Sequence, residues 1–130
     1  MSVQTLSLPA GTGVLTSPVI LLPHNVTNFY GYGSIGCLMN FSGNGVGYGG
    51  VAATGNVTLQ LSNDPNANPS NAANIQATAR WNNHDTLVNR TTDQNSSIVY
   101  PCRYARLIGT VTIGTVTCHV SIADSSNPGG

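Results

Sequence analysis

The stretch Tyr100-Pro-Cys-Arg-Tyr-Ala-Arg-Leu-Ile-Gly-Thr-Val-Thr-Ile-Gly-Thr-Val-Thr-Cys-His-Val-Ser-Ile122 alternates apolar and polar side chains. In its second half Val116, Cys118, Val120 and Ile122 fall on one face, and Thr115, Thr117, His119 and Ser121 on the other. In its first half Ala105 and Leu107 share a face opposite Tyr104 and Arg106. Successive side chains of a strand point to opposite sides of a sheet, so a period of two is the mark of a half-buried antiparallel strand. The stretch reads as a hairpin, two strands joined by a tight turn at Ile113-Gly114. A hairpin buries one stripe only, and a second sheet has to cover it.

The same alternation recurs outward from this segment. Ile35, Cys37, Met39 and Phe41 alternate with Ser34, Gly36, Leu38 and Asn40, and Val57, Leu59 and Leu61 form another inward stripe. Val14 to Leu22 is a strand interrupted by Pro18, which places it at an edge or a bulge. Weaker strands are expected at Val26–Tyr30 and Thr86–Arg90, and Trp81 is expected to anchor the core. Between these lie turn and loop clusters: Pro23–Asn25, Ser42–Gly50, Asn63–Asn71, Asn82–Asp85 and Thr91–Ser97. Seven to nine short strands with such punctuation define an all-β chain, a single antiparallel β-sandwich or jelly roll. Residues 1–13 form a short N-terminal arm or edge strand, 14–123 the sandwich, and 124–130 a frayed tail.

Composition narrows the function classes. Charged residues make up 6% of the 130 residues, against about 25% in a typical soluble protein, and lysine and glutamate are absent. The surface helix formers are therefore missing, while Asn, Ser, Thr, Gly and Val, which favour strands and turns, abound. A net charge of zero provides little repulsion between copies. Such a surface is either covered by neighbours in an assembly or kept wet by uncharged amides and hydroxyls. Four arginines balanced by four aspartates make no basic footprint, so nucleic acid is not an expected partner. The apolar run Val19–Leu22 falls far short of the roughly 20 residues that cross a membrane. The first residues lack a charged region followed by an apolar core, so free thiols in a reducing cytoplasm are expected for Cys37, Cys102 and Cys118.

No catalytic constellation is legible. Gly45-Val-Gly-Tyr-Gly-Gly50 matches a dinucleotide fingerprint as text, but a strand follows where a helix is needed. Asp64-Pro-Asn-Ala-Asn68 spaces oxygen ligands as a calcium loop does, but Pro69 stands at the sixth position in place of glycine and no bidentate glutamate exists, so Asx turns explain it more cheaply. The cysteines and His24, His84 and His119 lack zinc spacing. Cys102 beside Arg103 is a candidate for a lowered pKa, and His84-Asp85 for an oriented imidazole, yet neither has a reactive partner in view. Five Asn-x-Ser/Thr triplets arise by chance in a chain this rich in those residues. The expectation is a non-enzymatic protein without cofactor or metal. Tyr30, Tyr32, Tyr48, Trp81, Tyr100 and Tyr104 are candidates for a sugar-stacking platform. Candidate interface residues are Gln4, Leu6 and Leu8 of the N-terminal segment, with Arg103, Tyr104 and Arg106, because Arg and Tyr are enriched at interfaces. The alternative for the two arginines is pairing with Asp85 or Asp93 inside one subunit.

From Val57 to Ile122, the order Leu59-Gln-Leu-Ser-Asn-Asp-Pro65, Trp81, Tyr100-Pro-Cys-Arg-Tyr-Ala-Arg-Leu107 and Gly114-Thr-Val-Thr-Cys-His-Val120 resembles small β-sandwich virion proteins of tailed bacteriophages. It is similar to the discoidin-like and jelly-roll modules of capsid decoration, cement and tail-fibre proteins. The resemblance implies a multicopy capsid decoration or cement protein, made in the host bacterial cytoplasm and residing in the virion. Its implied partners are copies of itself, as a trimer or dimer, and a major capsid or other virion protein. The alternatives are a carbohydrate- or receptor-binding module of a tail or fibre, and a coat protein that assembles a shell by itself.

Overall fold

Two antiparallel sheets pack face to face in the computed structural model, which describes residues 2–22, 35–42, 53–98 and 102–122. The first sheet is built from β1 (Ser2–Pro9), β4 (Ile35–Ser42), β7 (Gln94–Ile98) and β9 (Thr115–Ile122), in the spatial order β1-β9-β4-β7. The second contains β2 (Leu15–Thr16), β3 (Ile20–Leu21), β5 (Thr54–Ser62), β6 (Asn82–Asn83) and β8 (Tyr104–Ile113). Its order is β2-β8-β5-β6, with β3 also on β8. A 3-10 turn at Pro65–Ala67 and the single-turn helix α1 (Ala73–Gln76) sit in the connection from β5 to β6. The all-β sandwich is thus the observed architecture. The expected strand at Val26–Tyr30, the glycine segments, His24, Tyr30, Tyr32, Tyr48, Tyr100 and the tail from residue 124 lie outside the described residues.

The alternating stripes form the core. Ile35, Cys37, Met39 and Phe41 of β4 and Val116, Cys118 and Val120 of β9 meet Val57, Leu59 and Leu61 of β5 and Ala105, Leu107 and Val111 of β8. Fully burying one such aliphatic or aromatic side chain is worth about 1.5–3 kcal/mol.

The hairpin reading is corrected. β8 and β9 do not pair; they belong to different sheets, and the Ile113–Gly114 corner carries the chain across the sandwich. Gly114 has φ +77°, a left-handed conformation that glycine adopts without a Cβ penalty. Alternation reports which side chains turn inward and is silent on which strand accepts the hydrogen bonds. Facing strands and paired strands therefore read alike.

The N-terminal segment is an integral strand. β1 pairs with β9 along its whole length, from Ser2 opposite Ile122 to Pro9 opposite Thr115. Leu6 and Leu8, each 1% exposed, are core residues rather than partner contacts. Removing residues 1–13 would take both leucines and a complete strand, a loss of several kcal/mol against a total stability of about 5–15 kcal/mol.

Pro18 splits the second strand segment as its missing N–H requires, leaving β2 and β3 as two short rungs on β8. Ser17 bridges the break. Its N–H donates to the Leu107 carbonyl (2.9 Å), and its hydroxyl oxygen accepts the Leu107 N–H (2.8 Å).

Three further expectations change. Trp81 is only partly buried and lies outside the core cluster. Thr91–Ser97, read as a polar loop, contributes most of β7, an edge strand on β4. Thr86–Arg90 is a looped segment tied to β5 by a two-way bridge between Val57 and Arg90 (both 2.9 Å). His84, 1% exposed, pins that loop. Its Nδ1 accepts the N–H groups of Thr86 and Leu87 (3.0 Å each), so Nε2 carries the proton and donates to the Ser97 carbonyl (2.8 Å). The 3.4 Å approach of Asp85 to Nδ1 is then incidental, and this histidine serves structure.

Candidate assembly surface

The strands of the first sheet contain no Asp, Glu, Lys or Arg. By strand register the outward positions are Ser, Thr, Asn and Gly, together with Val3, Pro9, Leu38 and His119. His119 Nδ1 lies 3.1 Å from the Thr5 hydroxyl of the neighbouring strand. Every ionisable Arg and Asp among the described residues lies on the second sheet or in the loops. The sandwich therefore has one broad neutral face, with hydroxyls and amides in place of charges.

That face ends at an open edge. The Ala10 N–H donates to the Gly114 carbonyl (3.1 Å), and hydrogen-bonded pairs alternate along an antiparallel ladder. Leu8, Leu6 and Gln4 therefore bond to β9, while the backbone N–H and C=O groups of Thr5 and Ser7 point away from it. The other side of the sheet agrees with this phase: the Phe41 N–H donates to Asp93 Oδ1 (2.7 Å) and its carbonyl accepts the Ala53 N–H (3.2 Å), so neither is spent on β9. Among the described residues no strand pairs with the outer edge of β1. Natural edges of this length are usually blunted by charges, prolines or bulges. Here only Pro9, at the end, interrupts the row of donors.

The six candidate interface residues thus separate. Leu6 and Leu8 are core, and Gln4 is half-buried on the edge strand. Tyr104 is 6% exposed and offers a partner little area. Arg106 lies on the outer face of the second sheet, where its guanidinium stacks 4.3 Å from the Trp81 ring centroid and its Nε donates to Gln60 Oε1 (2.9 Å). Partial burial pulls its pKa down from the usual value. Arg103 lies 6.0 Å over the Tyr104 ring, and its Nε is buried with no hydrogen-bond partner. Asp93 is taken by Phe41 and no Arg–Asp salt bridge forms among the described residues, so the intrasubunit pairing expected for these arginines is absent there. The structure does not gather the six into one patch. The Trp81–Arg106–Gln60 cluster, which the sequence reading missed, needed the cross-strand pairing of Gln60 with Arg106 to be found.

The Asp64–Asn68 loop holds the Asx turn that its residues favour over a calcium loop. Asp64 Oδ1 accepts the Asn66 N–H and Oδ2 the Arg80 N–H, both at 2.9 Å. These backbone hydrogen bonds hold the carboxyl below the ordinary carboxylate value. A depressed folded pKa contributes stability that is present above the unfolded value near 3.8 and is lost as pH falls through the folded one. Amide exchange at Asn66 and Arg80 is thus expected to accelerate below about pH 4, ahead of the β5 and β8 amides. Equal protection at pH 2.5 and 6 would refute this cap.

The three cysteines are buried free thiols. Burial, reinforced by the neighbouring Cys37, pushes Cys102 up to about 11, opposite to the lowering that Arg103 led one to expect. A hydrogen bond with Cys37, together with burial, raises Cys118 further. Thiolate at Cys102 is then about one part in a thousand at pH 8. A chromogenic disulfide reagent at pH 8 is expected to label none of the three in the folded protein and all three in urea; rapid native labelling of any would contradict the assignment.

Among the described residues no group of three or more His, Cys or Asp side chains is placed to hold a metal ion, and no helix is long and apolar enough to cross a membrane. Compared with known proteins, the chain matches no family model, no curated protein and no solved structure.

Proposed function

We propose that this chain is a non-enzymatic, multicopy structural protein of a phage particle, a decoration or cement protein bound on the head. The observation that carries the assembly part is the charge-free sheet ending in the unpaired edge of β1. Neutral hydroxyl and amide surface can be covered without desolvating an ion, a cost of several kcal/mol per buried charge. The free N–H and C=O groups of Thr5 and Ser7 are a template for another strand. Two copies related by a two-fold axis satisfy one another there, which favours the dimer over the trimer. The assignment to a phage head rests on the resemblance carried by Val57 to Ile122.

The mechanism is mass action. A protein that binds the assembled shell and not its free subunits stabilises the shell by RT ln(1 + [L]/Kd), about 2.7 kcal/mol per site at a hundredfold excess over Kd. Purified protein is expected to co-sediment with heads of the phage that encodes it and to raise the temperature at which they release DNA. Heads that sediment without it would remove the decoration role.

A further inference from the structure

We propose that the outer face of the second sheet carries a binding groove for a neutral sugar, separate from the assembly surface. A depression of about 320 Å³ lies over β5 and β8, closed on one side by the loop that follows β6. Its size is at the lower end of the range of small-ligand sites.

Its chemistry selects the ligand. Asn56 on β5 and Asn89 on the loop present side-chain amides that hydrogen-bond to nothing in the described structure. Each offers two donors and a carbonyl acceptor. A third amide is oriented by relay. Arg106 Nε donates to Gln60 Oε1 (2.9 Å), so Gln60 Nε2 donates to Asn83 Oδ1 (3.0 Å), and the Asn83 NH₂ group is left as a donor. Trp81 holds the first member of the relay in place by stacking on the guanidinium. Thr110 adds a hydroxyl to the lining.

Asn89 is held there at a conformational cost. Its φ of +50° is the only positive value at a non-glycine residue among those described. The conformation is kept by its N–H bond to the Thr58 hydroxyl (2.9 Å) and by the adjacent Val57–Arg90 bridge. Strained residues kept by their surroundings cluster at ligand sites.

Two apolar groups complete the site. Val14, 67% exposed, and Ile108 line the groove and suit the C–H face of a pyranose ring. No Asp, Glu, Lys, Arg or His lines it, so an anionic or cationic ligand would be desolvated there without a counter-charge. Alternating hydroxyls and C–H faces on an uncharged ring match what the groove offers. An open site of this depth binds weakly, with Kd on the order of 1 mM.

The test is a titration of the ¹⁵N-labelled full chain with glucose, galactose, N-acetylglucosamine and rhamnose, each to about 50 mM, alongside glucuronate and glycerol. At least one neutral sugar is expected to give saturable shifts at residues 56–60, 83–90 and 108–110, with glucuronate at least tenfold weaker than that sugar. Asn56→Ala with Asn89→Gly is expected to weaken binding at least tenfold; glycine accepts the positive φ and Asn56 is exposed, so the double variant keeps the fold. Thr110→Val is a second, nearly isosteric variant that should weaken the same sugar. The proposal is overturned if no sugar gives saturable shifts, if shifts fall outside the groove, if glycerol reproduces them, or if the folded variants bind as the parent does.

Discussion

Replacing Gly109 with alanine is expected to lower stability by about 3 kcal/mol or more and the melting temperature by about 10 °C. Gly109 sits opposite Val57 in the central β5–β8 pair of the second sheet. A Cβ there would overlap the carbonyl oxygen of Asn56 and stand 2.8 Å from the Val57 Cα. Those neighbours are backbone and cannot rotate aside, so the two strands would have to separate. The register that aligns Leu59 with Leu107 in the core would be disturbed with them. Gly13 is the control. It has φ +75° with no atom within 4 Å of an added Cβ, so Gly13→Ala should cost only the left-handed conformation, about 1–2 kcal/mol. Urea melts of the two variants measure the difference; equal destabilisation would mean that β5 and β8 are not so closely apposed.

Placing lysine at both Thr5 and Ser7 is expected to weaken self-association at least a hundredfold, about 2.7 kcal/mol, with little change in the melting temperature at concentrations where both proteins are monomeric. Both positions are solvent-exposed on the edge strand, and their backbone groups point outward. In an antiparallel pairing of two copies they fall beside the two-fold axis, so four ammonium groups would crowd a ladder that now meets no charge. Lysine on a free edge is also how natural sheets avoid pairing. The Thr5–His119 hydrogen bond lost with the substitution is exposed, and its removal should cost little. Association unaffected by the double substitution would move the contact to another surface.

The inward stripes of β4, β5 and β9 are readable because each strand sets apolar side chains on its core face against mostly polar ones on the other. Partner choice was not readable. The chain turning at Ile113–Gly114 looked like a hairpin because residues facing each other across a core alternate just as paired ones do. β7 escaped notice since a polar edge strand of Gln, Asn and Ser has little apolar signal. A lone tryptophan points to the core by its size and hydrophobicity, whereas its place over Arg106 depends on where the α1 loop returns to β5. The sequence neighbour Arg103 favours a lowered Cys102 pKa, whereas desolvation in three dimensions raises it. Of the candidate site, the shortage of charge was plain in the composition. Its segregation onto one sheet required the strand order.

Sedimentation equilibrium of the unmodified chain at micromolar concentration asks whether the neutral sheet and its open edge are covered by another copy. A concentration-dependent dimer is expected, about twice the 13.4 kDa chain mass, that the Thr5/Ser7 lysine variant does not form. A single ideal species at the chain mass across the whole concentration range would contradict it.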